Sequence, residues 1–177
     1  MHTKKYIENA LVELLKTKSI DKIKVNEIID QVGSCKGTFY KYYQDKYSLL
    51  TSYYVENLYT SVEKSTASAE EFMEACLQFF QKQPMVTFNS FQSDDVNAVK
   101  AYHEKAFIKK LQQTYRVDGV DDDAHRTKTI MKLFAKNCSE VLLSWLASGA
   151  KTPRAQVLHM MACLLPRSLK KLHTLQT

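Results

Sequence analysis

The chain has few residues that interrupt regular structure: of 177 residues only four are glycine and three are proline, and there is a single tryptophan. So few breaks leave an otherwise helical pattern whose boundaries can be named one by one. No apolar run approaches the roughly 18 residues of a membrane span, and the start, Met1-His2-Thr3-Lys4-Lys5-Tyr6, leads into charge rather than a signal-type apolar block. A soluble cytoplasmic protein with no membrane partner is expected. The four cysteines, Cys35, Cys76, Cys138 and Cys163, have neither CxxC pairing nor finger spacing and suggest neither a disulfide framework nor a zinc site. The last three fall in apolar helical stripes and read as core. A Gly-rich phosphate loop, an HExxH helix and a nucleophile elbow are all missing, so no catalytic residue, cofactor or metal ligand is assigned and an enzyme is not expected. His103 beside Glu104, and His125 after Asp121-Asp122-Asp123, read as surface polar and capping residues rather than ligands.

What is present is 45% apolar content, enough for a sizeable core, and a net charge of +6 with pI near 9.0, which favours a polyanionic partner. Ile7, Ala10, Leu11, Leu14 and Leu15 recur at helical spacing and predict a helix over about residues 3 to 17. Val25, Ile28, Ile29 and Val32 give two further turns, ended by Gly33, which takes the left-handed conformation at low steric cost. Ser34 or Cys35 then caps a very short helix carrying Thr38 to Tyr42. From Asp45, a good N-cap, Leu49, Leu50, Tyr53, Tyr54 and Leu58 predict one long helix toward Ser65. Further helices follow Phe72 to Phe80, Val96 to Tyr115 (ending near Asp118-Gly119) and Ile130 to Trp145. A last helix begins after Thr152 with Pro153 at its first position, carries Val157 to Leu172 and is kinked at Pro166. Met85 to Ser93 reads as one helical turn or a packed loop.

Helix, tight turn and helix near the N-terminus suit the DNA major groove, which admits one helix while the preceding one crosses the backbone. Lys36 and Lys41 can approach guanine or phosphate, Thr38 a phosphate or a thymine methyl, and the hydroxyls of Tyr40 and Tyr42 phosphate oxygens. Lys46, at the start of the long helix, is placed for a phosphate contact together with backbone N–H groups. Phe39 reads as the plug of the small core, and Tyr43 shares that reading.

At these residues the sequence resembles the TetR family of transcriptional regulators. The matching positions are Ile28, Gly33, Lys36-Gly37-Thr38-Phe39-Tyr40, Tyr43, Lys46 and Leu49-Leu50, within about the first 55 residues. The resemblance implies an all-α protein with a helix-turn-helix DNA-binding domain over residues 1–48, the motif at about 24–43 and the fourth helix beginning near 46. A C-terminal helical domain for ligand binding and dimerisation would follow over 49–177. It implies that Asn26, Lys36, Gly37 and Lys41 face base edges while Thr38, Tyr40, Tyr42 and Lys46 hold phosphates. The chain departs from the family where a hydroxyl residue commonly starts the second helix; Ile23-Lys24-Val25 stands there, and Lys24 could meet a phosphate directly. Cys35 departs too, and reads as a small residue in place of serine.

The expected protein is a homodimeric repressor of double-stranded DNA with a palindromic operator, relieved by a small-molecule effector. A DNA-binding co-regulator or activator whose C-terminal domain binds a protein partner is the alternative. Phe72, Phe79, Phe88, Phe91, Tyr102, Phe107, Met131 and Phe134 are the candidate pocket lining, with plain core packing as the competing reading. Leu142, Leu143, Leu146, Leu158 and Met160 lie beside or outside the apolar stripe of the last two helices, which suits burial in a larger bundle or a subunit interface; Leu142, Leu143, Leu146, Leu158, Met161 and Leu165 mark the candidate dimer interface.

Overall fold

The computed structural model describes residues 2–117 and 124–171. Helix α1, His2–Leu15, turns Ile7, Ala10, Leu11 and Leu15 inward, and a 3-10 turn, Ile20–Lys22, adds Ile20 and Ile23 to the same small core. Helices α2, Val25–Val32, and α3, Lys36–Tyr42, close it with Ile28, Ile29 and the fully buried Phe39. Tyr43 donates its hydroxyl to the Glu8 carboxylate at 3.1 Å, and Lys5 reaches that carboxylate at 3.3 Å. Glu8 can therefore stay buried, because a cation and a phenol replace the water it gives up. Burial, with Glu8 alongside, raises the Tyr43 pKa far above the ordinary tyrosine value.

Asp45 caps the next helix reciprocally: its carboxylate accepts from the Ser48 N–H at 2.7 Å, and its own N–H donates to the Ser48 hydroxyl at 3.1 Å. The helix runs as α4, Lys46–Tyr54, through a π-helical turn, Val55–Tyr59, into α5, Thr60–Ser65. Its first turns bury Leu49 and Leu50. In a regular α-helix Tyr54 and Tyr59 would point about 140° apart at 100° per residue. The wider π turn brings both onto one side, where each is fully buried. Thr60 repairs the disturbed ladder by donating its hydroxyl to the Val55 carbonyl at 2.8 Å.

The body is built from α6, Ala69–Phe80, α7, Pro84–Ser90, α8, Val99–Thr114, α9, Ala124–Ala147, and α10, Arg154–Cys163. Helix α8 packs against both α6 and α9, while α10 lies on α6 and α9. At the centre the Tyr54, Phe80 and Phe91 rings meet edge to face with centroids 5.4–6.2 Å apart. The His103 ring lies 5.6–6.0 Å from those of Phe72, Phe80 and Phe91. Tyr59 Oη and His103 Nδ1 share a hydrogen bond of 3.0 Å. Lys110 ends the helix above by donating to the carbonyls of Glu63 (3.0 Å) and Thr66 (2.6 Å).

Several expectations are corrected. Helix α10 stops at Cys163, so Pro166 lies beyond it rather than kinking it, and Pro153 is the N-cap rather than the first helical residue. The chain instead forms a strand, β2, Leu169–Lys171, antiparallel to β1, Tyr115–Val117, with Tyr115 opposite Lys171. Proline explains the early stop, since it disfavours helical geometry in the residue before it. Residues 84–90 form a two-turn helix started by Pro84, and Val96 is exposed outside α8. Cys163 is exposed, and His103 is buried rather than on the surface. The acidic run Asp121-Asp122-Asp123, Asp118-Gly119 and Leu172 lie outside the described residues.

Burial lowers the pKa of His103 to about 4. Between that value and the ordinary 6.5 the unfolded chain binds a proton that the folded chain refuses, so stability falls as pH drops through this window. The full loss is about 3 kcal/mol, from roughly 1.36 kcal/mol per pH unit. His103→Gln should be less stable at pH 7.5 but lose less between pH 6.5 and 4.5. Urea unfolding at several pH values checks this.

Candidate nucleic-acid interface

The turn between α2 and α3 has a defined cause. Gly33 sits at φ +64°, its N–H bonds to the Asp30 carbonyl at 3.2 Å, and the Ser34 N–H reaches back to the Ile29 carbonyl at 3.0 Å. These two bonds satisfy carbonyls the helix end would orphan, in the Schellman arrangement. A Cβ at Gly33 would meet nothing within 4 Å. Glycine is required there by backbone conformation and not by space.

The start of α2 lacks a hydroxyl cap, and Glu27 takes its place by accepting the Lys24 N–H at 2.9 Å. Lys18 also hydrogen-bonds the Glu27 carboxylate, and that bond is the chief reason its pKa lies below the usual carboxylate value. The Lys24 side chain is left exposed, as is Asn26 two residues on. Cys35 caps α3 only by its backbone; its sulfur lies 3.4 Å from the Thr38 hydroxyl, and hydrogen bonding to Thr38 lowers the thiol pKa.

Along α3 the inward face is spent on Phe39, with Tyr43 just beyond, whose ring centroids are 5.9 Å apart. Lys36, Gly37, Lys41, Tyr40 and Tyr42 are exposed, and Thr38 is half-buried. Tyr40 is 55% exposed although its ring packs edge-on against Phe39 at 5.3 Å, so its hydroxyl end points outward on a fixed stem. Two lysines, two tyrosine hydroxyls and a glycine are thus gathered on a single exposed helix.

Lys46 is half-buried at the start of α4, donating to the Asp21 carbonyl at 2.8 Å and the Ile23 carbonyl at 2.9 Å. Burial lowers its pKa, against the opposing pull of Asp21, Asp45 and Glu27. Its ammonium lies 5.1 Å from the centre of the Tyr47 ring, and the Tyr47 hydroxyl donates to the Asp21 carboxylate at 2.8 Å. Lys46 therefore ties the 3-10 turn to α4. Sequence reading missed Tyr47 and Asp21 as members of this corner, because a contact spanning 26 residues has no periodic signature.

The candidate pocket residues do not gather around one space. Phe72 and Phe91 are fully buried among the rings around His103, and Met131 is also in the core. Phe79 borders a small cleft beside Tyr53 and Lys82, while Phe88 and Tyr102 are half-buried against the core. Phe107 and Phe134 alone of that set border an apolar cavity of about 320 Å³ between α6, α8, α9 and α10. Of the candidate interface residues, Leu142, Leu146 and Met161 are buried within the chain itself. Leu143, Leu158 and Leu165 are half-buried, and Met160 and Leu164 are exposed beside them.

No protein-family model and no curated protein matches the sequence. Solved structures do match the fold. The dihydroxyacetone kinase operon activator DhaS superposes with a TM-score of 0.60 at 14% identity, over 92% of this chain and 96% of that one. A TetR transcriptional regulator from Rhodococcus sp. RHA1 gives 0.58 at 15% identity, over 93% and 94%. FadR of Thermus thermophilus, a TetR-family repressor in complex with lauroyl-CoA, gives 0.58 at 17% identity, over 92% of each chain. Identity this low speaks for architecture alone: the chain has the all-α fold of the TetR-family transcriptional regulators.

Proposed function

We propose that the protein is a sequence-specific DNA-binding transcriptional regulator of the TetR family, a homodimeric repressor relieved by a small-molecule effector. Gly37 carries the reading. Gly37 is the second residue of α3, where glycine brings no helical advantage over alanine, and a Cβ there would meet only the Cys35 sulfur, at an ordinary 3.9 Å. The fold does not need this glycine, whereas a helix pressed into a groove does. It is flanked on α3 by Lys36 and Lys41, with Tyr40 and Tyr42 beside them, the residue types that meet bases and phosphates.

In this reading Lys36, Gly37, Lys41 and Asn26 approach base edges, and Thr38, Tyr40, Tyr42, Lys24 and Lys46 hold the backbone. Two heads would sit about 34 Å apart on a palindromic operator. The dimer face is formed by Leu143, Met160 and Leu164, while Leu158 and Leu165 border the cavity on the other side of the C-terminal segment. Apolar side chains so exposed, Met160 at 44% and Leu164 at 42%, favour a partner surface. An activator or co-regulator acting through a protein partner draws support from the likeness to DhaS, described as an operon activator. The sign of a reporter response in cells decides between the two.

Binding to the DNA upstream of the protein's own gene, measured by band shift, should weaken steeply and log-linearly with salt; no shift with any promoter fragment sinks the proposal. Gly37→Ala should keep or raise the thermal midpoint while weakening DNA binding by about tenfold or more, a separation that a purely structural glycine would not give. Lys36→Ala should relax preference at one base position, costing about 1–3 kcal/mol on the best operator and little on its variants. Met160→Glu with Leu164→Glu should shift sedimentation equilibrium toward monomer and weaken operator binding in parallel.

A further inference from the structure

The cavity between α6, α8, α9 and α10 is not used by the DNA-binding face, and its lining has a definite chemistry. At about 320 Å³ it is at the small end of ligand pockets, which run from roughly 300 to 1,000 Å³. Met73, Leu111, Phe134, Leu158 and Met161 make walls without a donor or acceptor. Cys138 adds a soft sulfur surface, and burial raises its thiol to about 12, so it stays uncharged.

Charge at the Glu70 edge of the rim is cancelled locally. Glu70, at one edge, accepts the Tyr115 hydroxyl at 2.6 Å and the Lys171 ammonium at 2.7 Å. His159, at the other, lies 3.6 Å from the Cys163 sulfur through its Nε2. Among the described residues the lining includes no lysine or arginine. A carboxylate or phosphate entering this space would lose its hydration, and the cation at the rim, Lys171, is already paired with Glu70. This separates the site from what an acyl-CoA headgroup would need.

Helix α10 forms one wall. Ala155, His159 and Ala162 face the cavity, while Met160 is turned about 200° from Ala162 at 100° per residue and is exposed on the far side. A ligand that moves α10 therefore moves the face proposed for dimer contact.

We propose that this cavity binds an uncharged, largely apolar small molecule, and that this molecule is the effector. The second clause rests on the regulator reading above; the first does not. The test uses the full chain with the neutral fluorophore N-phenyl-1-naphthylamine, displaced by either 1-decanol or decanoate, which have the same carbon chain and differ in charge. Saturable binding at one fluorophore per protomer is expected, with decanol displacing it at a concentration lower than decanoate by about tenfold or more, the desolvation of a charge deciding the difference. Ala162→Trp, at the exposed rim where a large side chain need not disturb the core, should weaken fluorophore binding by at least about tenfold at an unchanged thermal midpoint. Ala155→Trp on the same rim serves if that variant unfolds. Absence of saturable binding, equal or better displacement by decanoate, or wild-type binding in folded rim variants overturns the site. Decanol that binds yet leaves operator affinity in the band shift unchanged overturns its role as effector. A chain that binds the fluorophore as expected but shifts no DNA retains the cavity assignment, and the regulator reading falls separately.

Discussion

One continuous helix from Lys46 to Ser65 belongs to two cores, and most of the structure depends on that sharing. Leu49 and Leu50 complete the small core closed by Phe39, while Tyr54, Leu58 and Tyr59 enter the body. Regular α geometry could not send both Tyr54 and Tyr59 into the body, because they would diverge by about 140°. The π turn between them resolves the conflict, and Thr60 braces it by donating both its N–H and its hydroxyl to the Val55 carbonyl. The N-terminal helices are held to the body by this helix and by α7, which packs on α1 and whose Asn89 donates to the Leu15 carbonyl at 2.9 Å.

The body around that helix is held by an unusual centre, a neutral histidine among aromatic rings. His103 keeps its bond to Tyr59 and refuses a proton because burial among phenyl and phenol rings takes away the water that would stabilise its charge. This cluster occupies the space in which sequence reading placed the pocket. Phenylalanines at helical spacing can line a hollow or fill one, and their spacing alone does not distinguish the two. Here Phe72, Phe80 and Phe91 interlock, and the open space lies nearer α10, walled by smaller and more flexible side chains such as Ala162, Met73 and Met161.

Local rules carried much of the reading. Gly33, Asp45 and Phe39 were legible because turn, cap and plug are each decided within a few residues, by a positive φ, a short carboxylate and an apolar period. The exposed set on α3 was legible for the same reason, since one helical turn fixes which side faces out. The C-terminus was misread where the local signal was ambiguous. Leu164, Leu165 and Leu169 continue a helical period on paper, yet Pro166 ends it and Leu169 is recruited by the edge of β1.

Where the helices start and stop near the N-terminus, and which α3 side chains stay exposed, depends on nearest neighbours along the chain and was legible there. Tertiary structure alone decided that Lys46 would brace the carbonyls of Asp21 and Ile23 and that His103 would be buried and uncharged. It also decided that the cavity would be bounded by α10 rather than by the aromatic stripe. Each of these joins residues more than 20 positions apart, and such contacts are chosen by how helices pack and what burial costs a charge, which no local spacing encodes.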